Sequence, residues 1–142
     1  MLFNPTRDQA RQFFIEAWRK RCGGVPASAL ETIAADVIAM HPEYHALLVA
    51  ADALTREWTP EDGAMNPFLH LSLHLAIAEQ LSIDQPPGIR ALFETRRSHH
   101  GNVHDALHDI LDCLGETIWR AQRERQPPDG AAYLDCIRRK AG

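Results

Sequence analysis

A chain of 142 residues, 45% hydrophobic and with a formal net charge of −4, is long enough to bury a sizeable core as one domain. The mild negative charge gives no electrostatic argument for nucleic acid or an anionic membrane as partner. No run approaches the roughly 18 apolar residues that a spanning helix needs.

In chain order the residues read as helices separated by Pro and Gly. Asn4-Pro5 is a helix start, with Pro at the first helical position, and Gly23-Gly24 stops that helix after about Arg21. Ser28 and Glu31 form a capping box for a second helix, whose Leu30, Ile33, Ala34, Val37 and Ile38 make an apolar face at helical spacing. Pro42 pushes His41 out of the α region, so His41 is expected to cap a third helix running from Pro42 to about Trp58. "TPEDGAM" (59–65) is a loop. Further helices are expected over 67–83, from Ile89 to Arg97, from Asn102 to about Arg125, and from about Ala131 to Lys140.

The stretch "NPFLHLSLHLAIAEQ" (66–80) is ambiguous, because Leu69, Leu71, Leu73 and Leu75 alternate with polar residues as in a half-buried strand. Asn66-Pro67 is a helix-start signal, "LAIAEQ" consists of good helix formers, and the length exceeds that of a typical strand. No other segment reads as a strand to pair with it. A helix over 67–83 follows. It is apolar nearly all round, as in a central buried helix, so His70 and His74 are expected to be buried.

Histidine is the one compositional oddity: there are eight. His41/His45, His70/His74, His100/His104 and His104/His108 are all i, i+4 pairs, against ~0.4 pairs expected from random placement. On a helix this spacing lets two imidazoles reach one ion. Asp112 and Glu116 continue the face of His104 and His108, and Glu43 lies between His41 and His45. Glu79 is five residues from His74, about 140° round the helix, so it reaches the same ion only through a π-bulge or a neighbouring helix, or else orients a ligand by accepting its second N–H. The candidate metal ligands are therefore His70, His74, His104, His108, His45, His41, Glu79, Asp112, Glu116 and Glu43. Imidazole with carboxylate suits one or two ions of iron, zinc or manganese.

Helices offering such pairs toward a common core describe a bundle metal site, similar to hemerythrin-like carboxylate–histidine di-iron bundles, though hemerythrin's H-x-x-x-E step is missing. A closer resemblance is carried by "HPEYH" (41–45), "NPFLHLSLHLAIAEQ" (66–80), and "CLGETIW" with "AQR" (113–123). These blocks resemble the bacterial family catalogued as domain of unknown function 1841, over essentially the whole chain. The resemblance implies a small cytosolic protein and brings no catalytic residue with it.

Cys22, Cys113 and Cys136 form no C-x-x-C pair, and three scattered cysteines make no disulfide framework. They are expected as reduced thiols in a cytoplasmic protein. The N-terminus shows no signal-peptide pattern. The expectation is a single all-α domain over 1–142, a helical bundle holding a transition metal at a buried histidine–carboxylate site. Oxygen or nitric oxide binding and oxidative chemistry would follow for iron. A metal-dependent hydrolase, with Glu79 or Glu116 as base, would follow for zinc or manganese. The competing reading is a metal-free interaction module with a buried histidine network. A protein partner or homo-oligomer stays open.

Overall fold

The computed structural model describes residues 6–58 and 66–140. Its regular elements are all helical: α1 (Arg7–Gly23), α2 (Ala29–Ala39), a 3-10 turn (Pro42–Tyr44), α3 (His45–Leu48), α4 (Pro67–Ile83), α5 (Ile89–His100), α6 (Val103–Glu124) and α7 (Gly130–Arg138). The all-α class read from the sequence holds. Among the described residues no helix is long and apolar enough to cross a membrane.

Local signals explain most boundaries. Thr6 caps α1: its hydroxyl accepts from the Gln9 N–H while Gln9 reaches back to the Thr6 N–H. This box satisfies two amide donors that a helix start leaves open. The expected start signal, Asn4-Pro5, lies outside the described residues. Gly24 ends α1 at φ +66°, a left-handed conformation that glycine adopts without strain. Ser28 and Glu31 form the expected box at α2. Asn66 opens α4 by accepting from the Phe68 N–H at 2.8 Å, and Asn102 opens α6 by accepting from the Asp105 N–H at 2.9 Å. The expected loop at 59–65 lies outside the described residues.

The third expected helix is corrected. In place of one helix to Trp58, α3 ends at Leu48 and residues 50–55 form turns. The cause is Arg11, which is 1% exposed. Its Nη1 donates to the carbonyls of Ala53 (3.4 Å), Leu54 (3.2 Å) and Arg56 (2.8 Å). Three carbonyls turned toward one guanidinium cannot all point along a helix axis. The guanidinium also lies 5.2 Å from the Trp58 ring and 5.0 Å from the Phe68 ring, as cation–π contacts require.

The chain forms two compact units, 1–75 and 76–142, with the division falling inside α4. In the first, α1 packs on α2 and their apolar faces meet in a core of Phe14, Ala17, Val37, Ile38, Leu48, Phe68 and Leu71. Each large side chain buried there contributes about 1.5–3 kcal/mol. In the second, α5, α6 and α7 pack on one another around Ile89, Ile110, Leu114, Tyr133 and Ile137. The Tyr133 hydroxyl donates to Gln80 Oε1 at 2.7 Å, giving a buried phenol its partner.

The second unit also corrects the thiol expectation. Cys113 on α6 and Cys136 on α7 form a disulfide, with Cα atoms 5.8 Å apart. The "QPPDG" break folds α7 back onto α6 and brings the two residues within bridging distance. Spacing along the chain does not reveal that approach. Cys22 alone is a free thiol, and it is exposed.

Candidate metal centre

The end of α2 positions the first candidate ligand. Pro42 has no N–H and disfavours helix at the residue before it, so His41 leaves the helix at φ −126°, ψ 68°. At this helix end the Val37 and Ile38 carbonyls accept from the Met40 and His41 N–H groups at 3.1 and 2.9 Å, and two imidazoles approach the same oxygens, each of which has a second lone pair. His41 Nδ1 lies 2.8 Å from the Val37 carbonyl and His45 Nε2 lies 2.9 Å from the Ile38 carbonyl. A carbonyl only accepts, so each of these nitrogens carries hydrogen and donates.

That bond fixes the tautomer of His41. With the hydrogen on Nδ1, the neutral ring presents a lone pair at Nε2, the arrangement common in metal-bound histidine. His41 is 1% exposed. Its Nε2 faces α4, where helical pitch stacks His70 and His74 on one side. His41 Nε2 lies 3.1 Å from His70 Nε2, and His70 Nε2 lies 3.2 Å from His74 Nε2. One ligand nitrogen from each of the three lies within 4.8 Å of the others. Nitrogens about 2.1 Å from one ion are spaced about 3.0 Å on an octahedral edge and about 3.4 Å on a tetrahedral one. The His41–His70 and His70–His74 separations fall between.

His74 is buried at 2% exposure, as expected, whereas His70 is only half-buried. The reason lies in the helix: its neighbour Leu69 is 51% exposed, so α4 has a solvent edge that the all-apolar pattern hides. Tyr44 stacks on His41, rings 5.4 Å apart and 5° from parallel, and meets His70 edge-on at 5.9 Å. Burial pushes the Tyr44 hydroxyl above its ordinary pKa, so the phenol beside the imidazoles stays neutral. Sequence reasoning passed over Tyr44; its place three residues after His41 was the available signal.

The other candidates of the first unit lie elsewhere. His45 is turned to the Ile38 carbonyl and stacked on Trp18, ring centroids 4.4 Å apart, so it does not join the three. Glu43 is exposed on the 3-10 turn. In the second unit, His104 and His108 are half-buried and meet edge-to-face at 4.2 Å. Glu79 is half-buried on α4. Asp112 and Glu116 are exposed, in ion pairs with Lys140 (3.4 Å) and Arg120 (2.8 Å).

A second polar cluster was not foreseen. Arg96 Nε donates to Asp109 Oδ2 at 3.0 Å, and His100 Nε2 meets the same oxygen at 2.6 Å. Burial pushes the Asp109 carboxyl up, but these two hydrogen bonds outweigh it and hold the group below the usual carboxylate range. Arg96 Nη1 also donates to the Lys140 carbonyl at 2.9 Å, which ties α5 to the end of α7. The i, i+4 spacing of Arg96 and His100 was the legible trace.

A family model described as Domain of unknown function (DUF1841) matches residues 6–139. No curated protein and no solved structure matches the chain.

Proposed function

The chain belongs to the DUF1841 family, so its reading rests on its own residues, and we propose that it is a transition-metal-binding helical protein, with iron or zinc as the ion. The observation that carries this is the convergence of three Nε2 atoms from His41, His70 and His74, one of them fixed as a lone-pair donor by the Val37 carbonyl. Three imidazoles are a common protein share of a metal shell that keeps a position for an exogenous ligand. With iron, such a site binds dioxygen or nitric oxide, and the neutral Tyr44 phenol beside it suits oxidative chemistry.

The test is the metal content of protein purified without chelator, with thermal melts with and without chelator. The expected result is stoichiometric iron or zinc and a melt raised by metal. At free metal a hundred times Kd the gain is about 2.7 kcal/mol. His74→Ala should lose the metal, and His108→Ala asks whether α6 supplies a ligand. A wild type without metal, melting alike in both conditions, would replace this reading with a metal-free interaction module. That second reading draws on one observation: His41 and His45 both bond carbonyls at the end of α2, a structural task that needs no ion.

A further inference from the structure

The second unit holds a cleft of about 590 Å³ along α6 and α7, with Cys136 in its wall. That volume is within the range of small-molecule sites. Of the two bridged residues, Cys113 is fully buried, while Cys136 is half-buried and faces the cleft. A disulfide exchanges only where a thiolate can reach a sulfur, and the cleft gives Cys136 that access. Among the described residues, three cations, Arg120, Arg139 and Lys140, and three carboxylates, Glu116, Glu124 and Asp129, stand around it. Arg120 and Arg139 stand in solvent-exposed ion pairs with Glu116 and Asp135, which cost little to rearrange.

We propose that Cys136 is a thiol-exchange site and that the cleft receives a zwitterionic low-molecular-weight thiol, a short cysteine-containing peptide. Balanced positive and negative lining suits a ligand carrying both an ammonium and carboxylates. In the exchange, the incoming thiol gives up its proton and its sulfur attacks Cys136 Sγ. The new S–S bond forms to Cys136 as the Cys113–Cys136 bond breaks. The electron pair leaves on Cys113, which takes up a proton. One disulfide replaces another, so no outside oxidant or reductant is required. Reversal, with Cys113 attacking Cys136 Sγ, releases the small thiol and restores the bridge.

The experiment uses the full chain carrying Cys22→Ser, because the exposed Cys22 would form its own mixed disulfide. Native protein is incubated with reduced glutathione, newly freed thiols are alkylated, and the products are mapped by peptide mass. Glutathione is expected on Cys136 and the alkyl group on Cys113. With Cys113→Ser added, oxidised glutathione should load one equivalent onto Cys136. Arg120→Gln with Arg139→Gln should slow the reaction with glutathione about threefold or more, the scale of exposed charge pairs, and leave that with uncharged 2-mercaptoethanol unchanged. Glutathione on Cys113, adducts only in denaturant, or equal slowing with both thiols would overturn the proposal.

Discussion

The Nε2 atoms of His41 and His70 stand 3.1 Å apart, although the residues are 29 positions apart in sequence. A ring nitrogen carries either a hydrogen or a lone pair. Because His41 gives its hydrogen to the Val37 carbonyl from Nδ1, a neutral His41 offers only a lone pair at Nε2. His70 can answer with N–H, but that same atom then has no lone pair for His74 Nε2, 3.2 Å away on its other side. A cation at the centre, as proposed above, would be met by a lone pair from each ring. The closeness of the three rings supports the proposed metal site.

His41→Ala and His45→Ala should therefore separate binding from folding. His41→Ala should weaken metal affinity by at least the 10–100-fold typical of residues that merely support a ligand. His45→Ala should keep the metal and lose about 1–2 kcal/mol of stability, for one hydrogen bond to Ile38 and one ring stack on Trp18. Metal titration and urea melts of both variants check this. Equal metal loss in the two would remove the distinction drawn between these histidines.

Arg11 organises residues 53–56, and the prediction is a large loss on its removal. Arg11→Met keeps much of the side-chain volume but leaves three carbonyls without their donor. The expected cost is about 2–4 kcal/mol, since each buried group left unsatisfied costs about 1–3 kcal/mol and turns recover part of it. Arg11→Lys should rescue little, because an ammonium lacks the planar fork and stacks poorly on Trp58 and Phe68. A denaturant midpoint unchanged in Arg11→Met would show that residues 50–55 hold their turns without it.

These same residues show where the sequence was legible. α4 was read with both ends correct, because Asn66-Pro67 is a local start signal and the run that follows has no competing partner. The capping box at Ser28 and Glu31 was likewise local. The helix drawn through Ala50 to Trp58 failed because its fate is decided by Arg11, about 40 residues earlier. In the candidate site, i, i+4 spacing found the His70/His74 pair. It also paired His45 with His41, and spacing alone does not show that His45 is turned to the Ile38 carbonyl and stacked on Trp18. Parity of three cysteines argued against a bridge, but the approach of Cys113 to Cys136 is made by helix packing, which parity does not see. With that bridge, the thiol argument for a reducing compartment falls.

Acid should loosen the α5–α6 pair through Asp109. Its folded carboxyl titrates below its unfolded value, which is about 3.9 for an ordinary Asp, so its contribution is fully present above that pH. It is lost as pH falls through the lowered folded value. Asp109→Asn should remove this acid-dependent part and cost about 3 kcal/mol at neutral pH, because it strands the buried Arg96 charge. Denaturant melts from pH 7 down to about pH 3 for both proteins test the sign; parallel curves across that range would refute it.

Reduction offers the last test. A bridge between residues 23 apart constrains the unfolded chain, and loop-closure entropy sets its contribution at about 3 kcal/mol. Guanidinium melts of the oxidised and reduced protein should differ by that amount, and Cys136→Ala should match the reduced protein with no further response to reductant. Thiol titration of the unfolded, unreduced chain should find one free thiol, that of Cys22. Three free thiols in protein kept from reductant, with identical melts in both states, would mean that α6 and α7 hold each other by packing alone, through Ile110, Leu114, Leu134 and Ile137.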